Sequence, residues 1–388
     1  MDSRERATLP VLPRMTKPSI LISAGDPSGE MYAARLVRAL QDRVEVQLFG
    51  LGGRKMREAG VELVAENTAI AVVGITEVLG KAPTVWRLIG QMADESKRRR
   101  PKLAILVDAP GFNLRLAKHL KAQGVPVVYF ISPHVWAWKR WRIRPIRKRV
   151  KKMLCIFPFE EAYYHQRGVA AEFVGHPQVD EVRATQSRAE FATRHSLDAT
   201  KPIVALLPGS RRNELRYNLP TILGACRQIE AKQPSQFVLA LAPTVRAAET
   251  AHMMRADVAV QAVENETYNA LAAADASIIS SGTATVEAAL IGAPMVVVYR
   301  LAPTTAFLLK RLVRTPYFSM VNLIAGRQVV TELFQNDFTA ERVAGEVLRL
   351  LESADARKEM RQGLAEVRAK LGPGGAMNRA AEIIARML

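Results

Sequence analysis

The chain has 388 residues, which is too long for one ordinary core and predicts two compact domains of roughly 100–200 residues each. Its apolar fraction of 49% and charged fraction of 24% are those of a globular protein and exclude a disordered one. The 55 Lys and Arg residues outnumber the 37 Asp and Glu residues, and the net charge of +18 predicts a polyanionic partner: nucleic acid, an anionic membrane surface or a phosphorylated substrate.

The chain contains two cysteines, Cys155 and Cys226, and no signal for export. Two cysteines are too few for a disulfide scaffold, and they lack the C-x-x-C spacing of a zinc or redox site, which indicates a reducing cytosol. Residues 1–18 hold no apolar run long enough for a signal peptide. We interpret them as a disordered tail.

Short apolar runs recur along the chain, with amphipathic segments between them. Because the runs are mostly continuous rather than alternating, they indicate strands covered on both faces and hence parallel sheets. The predicted strands are Ser19–Ser23, Val44–Phe49, Leu103–Val107, Val127–Ile131 and Met153–Phe157, then Ile203–Leu207, Phe237–Leu241, Val258–Val260, Ser277–Ser280 and Met295–Tyr299.

A polar stretch over about 178–201 separates the two sets of strands. We therefore predict an α/β fold with two doubly wound, Rossmann-like domains that face a central cleft. The N-terminal domain is expected over 19–180, completed by C-terminal helices over 357–388, and the C-terminal domain over 181–356.

The loop after the first predicted strand, Gly25-Asp26-Pro27-Ser28-Gly29-Glu30, leads into a helical segment. Glycines let a backbone approach a ligand closely, and a helix N-terminus offers unpaired N–H groups. The loop lacks the G-x-G-x-x-G spacing of a dinucleotide site, and a plain turn capped by Asp26 or Ser28 explains it equally well. Further on, the apolar segment Val78–Ile89 fits either a core helix or a surface for a membrane or acyl chains.

Asp108 follows the predicted strand Leu103–Val107 and stands in the sequence Asp-Ala-Pro-Gly. A carboxylate at the carboxyl end of a central parallel strand points into the cleft, where it could accept a proton from a substrate hydroxyl. The alternative is an Asx turn or a helix cap, which is the commoner role of an isolated Asp in such a turn.

The most basic stretch, Lys139–Lys152, contains no acidic residue and directly follows Trp136-Ala137-Trp138. Cations interleaved with aromatic and aliphatic residues suit a phosphate-rich surface with an apolar layer beneath it. Single-stranded nucleic acid would fit the same description, and a solvated helix face is the ordinary explanation of a charge run.

Two glycine loops follow strands in the second half, Pro208–Arg212 and Ser280–Glu287. The second loop opens a helix, so its amides around Gly282 could hold a diphosphate, with Arg211 as a compensating charge. Glu287, one turn in, could accept hydrogen bonds from ribose hydroxyls. Without a ligand, its charge would simply favour the helix N-terminus.

The apolar segment Ala276–Tyr299 is long enough to span a bilayer. It is interrupted by glycine, serine and proline, at Ser280, Ser281, Gly282, Gly292 and Pro294. These interruptions predict a buried strand, a glycine turn, a short helix and a second strand rather than a transmembrane helix.

Several catalytic signatures are absent from the sequence: the D-x-D pair, the P-loop, H-E-x-x-H and G-x-S-x-G. Their absence predicts a group transfer that needs neither a metal nor a cofactor. The six histidines are dispersed, and we interpret His134 and His176, near the predicted cleft loops, as structural.

Taken together, these segments closely resemble the lipid-A-disaccharide synthase family. The matching pieces lie in the family's order and spacing between about Ile20 and Glu332: AGDPSGE, the segment Val73–Gly80, VDAPGFN, ISPHVWAW, FPFE with VGHP, LLPGSR, SSGTATVEAAL and VNLIAGR. Coverage of this extent is far more specific than any single loop.

The resemblance implies a GT-B fold and an inverting glycosyltransferase. The family transfers a diacylglucosamine unit from UDP-2,3-diacylglucosamine to 2,3-diacylglucosamine 1-phosphate (lipid X), so that a β-1,6 linkage forms and UDP leaves. Because the donor is an α-glycoside, inversion requires one in-line displacement in which a base takes the proton of the acceptor hydroxyl.

The resemblance also implies roles for individual residues. Asp108 matches the base or the residue that orients the acceptor, and Asp26 and Ser28 match a catalytic loop near the reacting sugar. The positions that match donor-binding residues are Gly29, Arg211, Ser281, Gly282, Thr283, Thr285, Glu287 and Asn322.

The chain departs from the family at two places. Members often read G-E-x-S-G-D where this chain has Gly25 to Glu30, so the carboxylates are kept but their reach is altered. Members also often read D-A-P-D-F-N, where this chain has Gly111. The loss of this second acid favours Asp108 as the chemical residue and leaves the positioning of the acceptor open.

The resemblance further implies a cytoplasmic protein attached peripherally to the inner membrane. The expected contacts with the anionic surface are Trp136, Trp138 and the basic stretch Lys139–Lys152, with no nucleic acid and with a homodimer left open. Two alternatives stay open: another GT-B enzyme that acts on UDP-N-acetylglucosamine, namely a peptidoglycan transferase or an epimerase, and, more remotely, a nucleic-acid-binding protein.

Overall fold

The structure is a computed structural model that describes residues 17–68, 78–243, 245, 246, 250, 258–302 and 315–388. The predicted tail lies outside the described residues except for positions 17 and 18, and so do residues 73–77 of the matching segment Val73–Gly80.

Two parallel sheets organise the chain. The first has seven strands in the order β3-β2-β1-β4-β5-β6-β7, namely β1 Ser19–Ala24, β2 Gln47–Gly52, β3 Glu62–Glu66, β4 Leu103–Val107, β5 Val127–Phe130, β6 Lys152–Cys155 and β7 Ala171–Phe173. The second has six strands in the order β10-β9-β8-β11-β12-β13, namely β8 Ile203–Leu207, β9 Gln236–Leu241, β10 Val260–Glu264, β11 Ala276–Ser280, β12 Met295–Tyr299 and β13 Thr331–Phe334. The predicted class of two parallel, doubly wound α/β sheets is confirmed.

Helices connect the strands. Their bounds are α1 Pro27–Gln41, α2 Arg54–Glu58, α3 Val78–Arg99, α4 Pro110–Ala122, α5 Ile143–Arg149, α6 Pro158–His165, α7 Arg188–Arg194, α8 Arg212–Lys232, α9 Thr267–Ala273, α10 Thr283–Ile291, α11 Met320–Ala325, α12 Ala340–Glu352, α13 Ala354–Lys370 and α14 Ala376–Ala385. Single 3-10 turns occur at Arg140–Arg142, Pro177–Asp180 and Gln335–Asp337.

The best-predicted strands are those that are covered on both faces. All five side chains of β4 and all five of β8 are buried, as a continuous apolar run requires. Three strands were missed: β3, β7 and β13. β3 carries glutamate at both ends and lies at a sheet edge, while β7 has three residues and β13 four. In the structure, β2 and β10 begin and end later in the chain than predicted.

The apolar segment Ala276–Tyr299 folds as the interruptions predict. It forms β11, then α10, and the chain turns at Gly292, whose φ of 79° lies in the left-handed region that glycine tolerates, before β12. Among the helices of the described ranges, none combines the length and the apolar character needed to cross a membrane.

The chain divides into two compact units. The first takes in the described residues up to Pro133, together with Pro145–Leu154 and Met377–Leu388, and the second takes in His134–Arg144 and Cys155–Ala376. The C-terminal segment is helical as expected, with α13 in the second unit and most of α14 in the first. Domain limits at residues 180 and 356 stay a prediction.

In each sheet two central strands are neighbours, and the later strands are added outward from each of them. In the first unit β1 and β4 are neighbours, with β2 beyond β1 and β5 beyond β4, and in the second unit β8 and β11 play the same part. Ligands of doubly wound sheets bind at the carboxyl ends of such strand pairs. These two ends therefore locate the candidate sites.

Candidate active site

In the first unit, Asp26 caps the helix that follows β1. Its backbone is extended, and its Oδ1 accepts hydrogen bonds from the Gly29 backbone N–H at 2.6 Å and from the Ser28 hydroxyl at 3.0 Å. The capping role considered for the loop is therefore present. A Cβ at Gly29 would lie 3.0 Å from Asp26 Oδ1, so a side chain there would crowd the capping carboxylate.

Glu30, the other acid of this loop, is turned toward neighbouring loops. Its carboxylate accepts from the backbone N–H of Lys55 at 2.8 Å and from the Asn67 amide at 3.1 Å. A Cβ at Gly53 would come within 2.3 Å of the same carboxylate. Glu30 thus connects the first loop to the first turn of α2 and to Asn67, which follows β3.

Asp108 stands on a strained backbone at the end of β4. Both Asp108 and Ala109 have left-handed φ values, 45° and 44°, and Ala109, rather than Asp108, is the cap residue of α4. Two consecutive non-glycine residues in this region are costly and persist only where the surroundings enforce them. The Asp108 carbonyl is held by the Tyr129 hydroxyl at 2.5 Å and by the Asn113 amide at 2.8 Å.

Asn113 joins the ends of the two central strands. It is fully buried, accepts from the Ser23 hydroxyl of β1 at 2.8 Å, and donates to the Val107 carbonyl of β4 at 3.0 Å. Asn113 was not predictable as a site residue from the sequence, because an isolated asparagine carries no spacing signal. Its bonds fix the place where Asp108 leaves the sheet.

The Asp108 carboxyl is tuned to ionise near neutrality. Its pKa is raised from 3.8 to about 7, first by burial and then by the charge of the nearby Asp26 carboxylate, while a hydrogen bond from the Ala109 backbone opposes the increase. The structure therefore brings together Asp26 and Asp108, two of the predicted catalytic residues. A carboxylate with a pKa near the working pH suits a general base.

The position of the missing family acid, Gly111, is open. A Cβ at Gly111 would meet nothing within 4 Å. The Gly111 carbonyl accepts a short hydrogen bond from Arg115, whose guanidinium also lies 5.7 Å from the ring of Trp86. Trp86 is 56% exposed, so the apolar segment Val78–Ile89 forms a helix that leaves this ring at the surface.

The second unit holds the predicted donor residues. Arg211 caps α8 and its side chain is 79% exposed, with one ion pair to Glu214 at 3.2 Å. Glu214 also accepts from the Ser210 backbone N–H at 2.8 Å. Gly209 has a φ of 135°, and a Cβ there would lie 2.5 Å from Glu214, so only glycine fits this loop.

The loop before α10 exposes its backbone. Gly282 and Thr283 are exposed, whereas Thr285 is fully buried and its hydroxyl donates to the Gly282 carbonyl at 2.8 Å. The Ser281 hydroxyl donates to the Phe318 carbonyl at 3.1 Å. The hydroxyls of Ser281 and Thr285 therefore shape the loop, while Gly282 and Thr283 stay exposed at the start of α10, where an anion can approach.

Glu287 is half-buried on α10 and its carboxylate has two partners. Its Oε1 accepts from the Gln178 amide at 2.8 Å and from the Tyr268 hydroxyl at 3.4 Å. Burial raises the pKa of Glu287, and these two hydrogen bonds oppose the increase. Gln178 is 5% exposed, and its Oε1 is a buried acceptor with no partner in the described part of the chain.

Asn322 lies away from any surface. It is fully buried, its amide donates to the Val330 carbonyl at 2.9 Å and to Glu332 at 2.8 Å, and its Oδ1 accepts from the backbone of Val329 at 2.7 Å and of Val330 at 3.0 Å. In the structure Asn322 thus stabilises the loop before β13. A direct contact with the nucleotide stays a prediction.

Asn218, in the helix after β8, bonds to the ends of both central strands of the second unit, as Asn113, in the helix after β4, does in the first. It is fully buried, donates to the Pro208 carbonyl after β8 at 2.9 Å and to the Ser280 hydroxyl of β11 at 3.1 Å, and accepts from the Arg300 backbone at 3.1 Å. Asn218, too, was not predictable from the sequence. Both units therefore hold their central strand ends with a buried asparagine.

The basic stretch requires one correction. Trp136 is buried, and its indole N–H donates to the fully buried Glu160 at 3.0 Å, so its ring is not available to a membrane in this structure. Trp138 is half-buried with the Lys139 ammonium 4.0 Å from its ring centre. Trp141 is the exposed aromatic residue of the stretch, at 65%.

Within the described ranges, no three His, Cys, Asp or Glu side chains come together as a metal-binding group. His176 is buried, and burial lowers its pKa to about 4, so it is neutral at physiological pH. It packs 5.2 Å from the ring of Phe157, and its Nδ1 accepts from the Gln178 backbone at 3.3 Å. These contacts are consistent with its predicted structural role.

Comparison with known families gives a match over nearly the whole chain. The family model described as lipid-A-disaccharide synthetase matches residues 20–386. A lipid-A-disaccharide synthase of Myxococcus xanthus is 44% identical over 374 residues, which are 96% of this chain and 98% of that relative. One of Acidobacterium capsulatum is 45% identical over 373 residues, 92% of this chain and 93% of that relative.

Solved structures resemble the chain in fold. The glycotransferase of kitacinnamycin aligns with a TM-score of 0.63 at 17% identity, covering 97% of this chain and 100% of that one. CalG4, the calicheamicin glycosyltransferase, aligns with a TM-score of 0.58 at 15% identity, covering 96% and 99%. At such low identity these likenesses show the fold alone, and they confirm the predicted GT-B class.

Proposed function

Since the chain belongs to the lipid-A-disaccharide synthase family, we propose that its substrates are UDP-2,3-diacylglucosamine and 2,3-diacylglucosamine 1-phosphate. The protein is a glycosyltransferase that forms the lipid A disaccharide. In the proposed reaction the acceptor's 6-hydroxyl oxygen bonds to the donor's anomeric carbon as the bond to UDP breaks. The hydroxyl proton passes to a base, and the electron pair of the broken bond leaves with UDP.

The base in this proposal is Asp108. Its position at the end of β4 and a pKa of about 7 are the observations that carry the assignment, because a carboxylate of ordinary pKa would be a weak proton acceptor. Asp26 acts on Asp108 through its charge and holds the first loop through its hydrogen bonds to Gly29 and Ser28.

The donor in this proposal lies on the second unit. The amides of the exposed residues Gly282 and Thr283 at the start of α10 would bind the diphosphate, and the exposed Arg211 would add a positive charge. The carboxylate of Glu287 would accept hydrogen bonds from the ribose hydroxyls, since Gln178 and Tyr268 already hold it in place. No step in this scheme uses a metal or a cofactor.

The proposed place of action is an anionic membrane surface on the cytoplasmic side. The substrates are phosphorylated amphiphiles, the chain carries a net charge of +18, and Trp141 is exposed among the cations of the basic stretch. We expect peripheral attachment through Trp138, Trp141 and the basic stretch.

Purified protein incubated with both acylated substrates should yield the disaccharide 1-phosphate and UDP, detected by mass spectrometry. Asp108→Asn should lower kcat by about 100-fold or more, the usual range for loss of a general base. Asp42→Asn removes an exposed carboxylate of the same unit and should leave kcat unchanged.

Two results would contradict the proposal. A folded Asp108→Asn variant with normal turnover would remove Asp108 from the role of base. Release of UDP from UDP-N-acetylglucosamine without an acylated donor would instead favour another GT-B activity.

A further inference from the structure

Three aromatic rings stack at the carboxyl ends of β12 and β13 in the second unit. Phe318 stacks on Phe334 with ring centres 4.5 Å apart and planes 18° from parallel, and Phe334 in turn lies 6.5 Å from Tyr299 at 20°. We call Tyr299, Phe334 and Phe318 the aromatic platform. Phe318 is 45% exposed, so the outer end of the platform faces solvent.

The outer ring is held rigidly rather than carried on a loose loop. The Phe318 backbone N–H donates to the Glu332 carboxylate at 2.8 Å, and its carbonyl accepts from the Ser281 hydroxyl at 3.1 Å. The next residue, Ser319, is fully buried and bonds the same carboxylate. The platform is therefore attached directly to the loop proposed to bind the diphosphate.

The residues that contact α10 and the loop before it indicate how the donor would be oriented. Glu287, one turn into α10, is held by Tyr268 from α9 and by Gln178. Before α10 begins, the Ser281 hydroxyl donates to the Phe318 carbonyl, ahead of α11. With the diphosphate at the helix start and the ribose at Glu287, the acylated sugar would extend in the other direction along the chain, toward the aromatic platform.

We propose that the aromatic platform is the binding site for an acyl chain of the donor, with Phe318 as the residue that contacts the chain. The proposal rests on the proposed function, because it takes the donor to be a UDP-linked diacyl sugar. An exposed ring beside an anion-binding loop matches a ligand that carries a fatty chain close to a diphosphate.

The environment of Phe318 differs from that of the other large apolar side chains at the surface. Trp86 and Trp141 each have an arginine guanidinium over the ring, at 5.7 and 5.6 Å, which suits the phosphate-rich interface of a membrane. Phe318 has an aromatic ring over one face instead. Its surroundings suit a purely apolar group, and an acyl chain of the donor is such a group.

The test compares KM for two donors, one with long and one with short acyl chains, in detergent solution. Phe318→Ala should raise KM for the long-chain donor by about tenfold, the loss expected when an aromatic side chain no longer covers apolar surface. KM for the short-chain donor and the Kd of UDP, measured by calorimetry, should change by less than about twofold. Phe318→Leu should recover most of the long-chain affinity, because it restores apolar contact without the ring.

Other outcomes would overturn the inference. Weaker UDP binding in Phe318→Ala would mean that the platform holds the uracil ring of UDP. If Phe318→Ala and the unaltered protein had equal KM values for the long-chain donor, the platform would bind no acyl chain. Reduced binding to phosphatidylglycerol vesicles with unchanged KM would make Phe318 a membrane contact. If the unaltered protein neither binds UDP nor turns over the long-chain donor, the proposed function itself fails.

Discussion

The charge of Asp26 contributes to the raised pKa of Asp108, and this effect can be separated from the capping role of Asp26. Burial is the main cause of the raised pKa of Asp108, and the charge of Asp26 adds to it. Since asparagine caps helices as well as aspartate does, Asp26→Asn should keep the hydrogen bond to Gly29 while removing the charge.

The variant Asp26→Asn should therefore move the acidic limb of the kcat/KM profile to lower pH, by up to about 1 unit. For the unaltered protein we expect activity to fall below about pH 7, as Asp108 becomes protonated. The profile should be measured between pH 5 and 9 with saturating donor. If the midpoint of the acidic limb were unchanged in a folded Asp26→Asn variant, the charge of Asp26 would have no effect on the pKa of Asp108.

Asp108 should also lower the stability of the folded protein at high pH. Because the folded pKa of Asp108, about 7, is above the unfolded value of 3.8, the protonated form stabilises the fold, and this stability is lost as pH rises from about 4 to 7. Asparagine mimics the neutral acid and also tolerates a left-handed φ of 45°.

Asp108→Asn should accordingly raise the free energy of unfolding at pH 8 by at most about 4 kcal/mol, with little difference near pH 4. Denaturant titrations at both pH values measure this. Asp42→Asn, at an exposed carboxylate, should show no such pH-dependent gain. Equal effects of Asp108→Asn at both pH values would contradict the assignment.

For single residues, the sequence predicted where a residue lies on a strand or loop better than which residues it contacts. Asp108 was placed correctly at the end of a buried strand, because five apolar residues before it mark that strand. Its backbone strain, its pairing with Asp26 and the bonds of Asn113 were not predictable, because each depends on residues distant in the chain. Phe318 was missed because one exposed aromatic residue produces no periodicity.

Among the secondary-structure elements, the junctions after β4 and β8 depend on buried asparagines. Asn113 bonds β1, the end of β4 and the Asp108 carbonyl at once, so its removal takes away three hydrogen bonds at this junction. Asn113→Ala should lower the free energy of unfolding by about 2–4 kcal/mol and also reduce kcat, because Asp108 would lose its support.

The matched control is Ser23→Ala, which removes only the hydroxyl partner of Asn113 and should cost about 1 kcal/mol with kcat nearly unchanged. Thermal unfolding and steady-state kinetics provide the two measurements. Similar losses in both variants would show that Asn113 acts on stability alone.

The accuracy of the predicted elements follows their burial. Strands such as β4 and β8 were predicted to the residue because both faces are covered. The short and edge strands β3, β7 and β13 were missed, because three to five residues with partly exposed faces resemble loops. The glycine turn and helix after β11 were predicted from glycine and proline, which break apolar runs regardless of tertiary context.

For the whole molecule, excess positive charge should decide where the protein works. Replacing five exposed cations of the basic stretch by glutamine should weaken binding to anionic vesicles by at least about tenfold at low salt, since each cation near such a surface contributes about 1 kcal/mol. These residues are Arg140, Arg144, Arg147, Lys148 and Lys151.

The control variant removes the same charge from elsewhere on the surface, at Lys97, Lys201, Lys232, Lys358 and Arg361. Sedimentation with phosphatidylglycerol vesicles at low and high salt measures binding of both variants. The difference between them should shrink at high salt as screening increases. Equal loss in the two variants would mean that net charge, rather than the basic stretch, attracts the protein.

The paired asparagines have a consequence for how such an enzyme can diversify. Because Asn113 and Asn218 bond to the ends of the central strands, this part of the framework does not depend on the side chains of the loops that carry the candidate sites. Substitutions in those loops can then alter selectivity while the scaffold underneath stays intact. A laboratory search for new sugar specificities should therefore randomise the loops and leave both asparagines untouched.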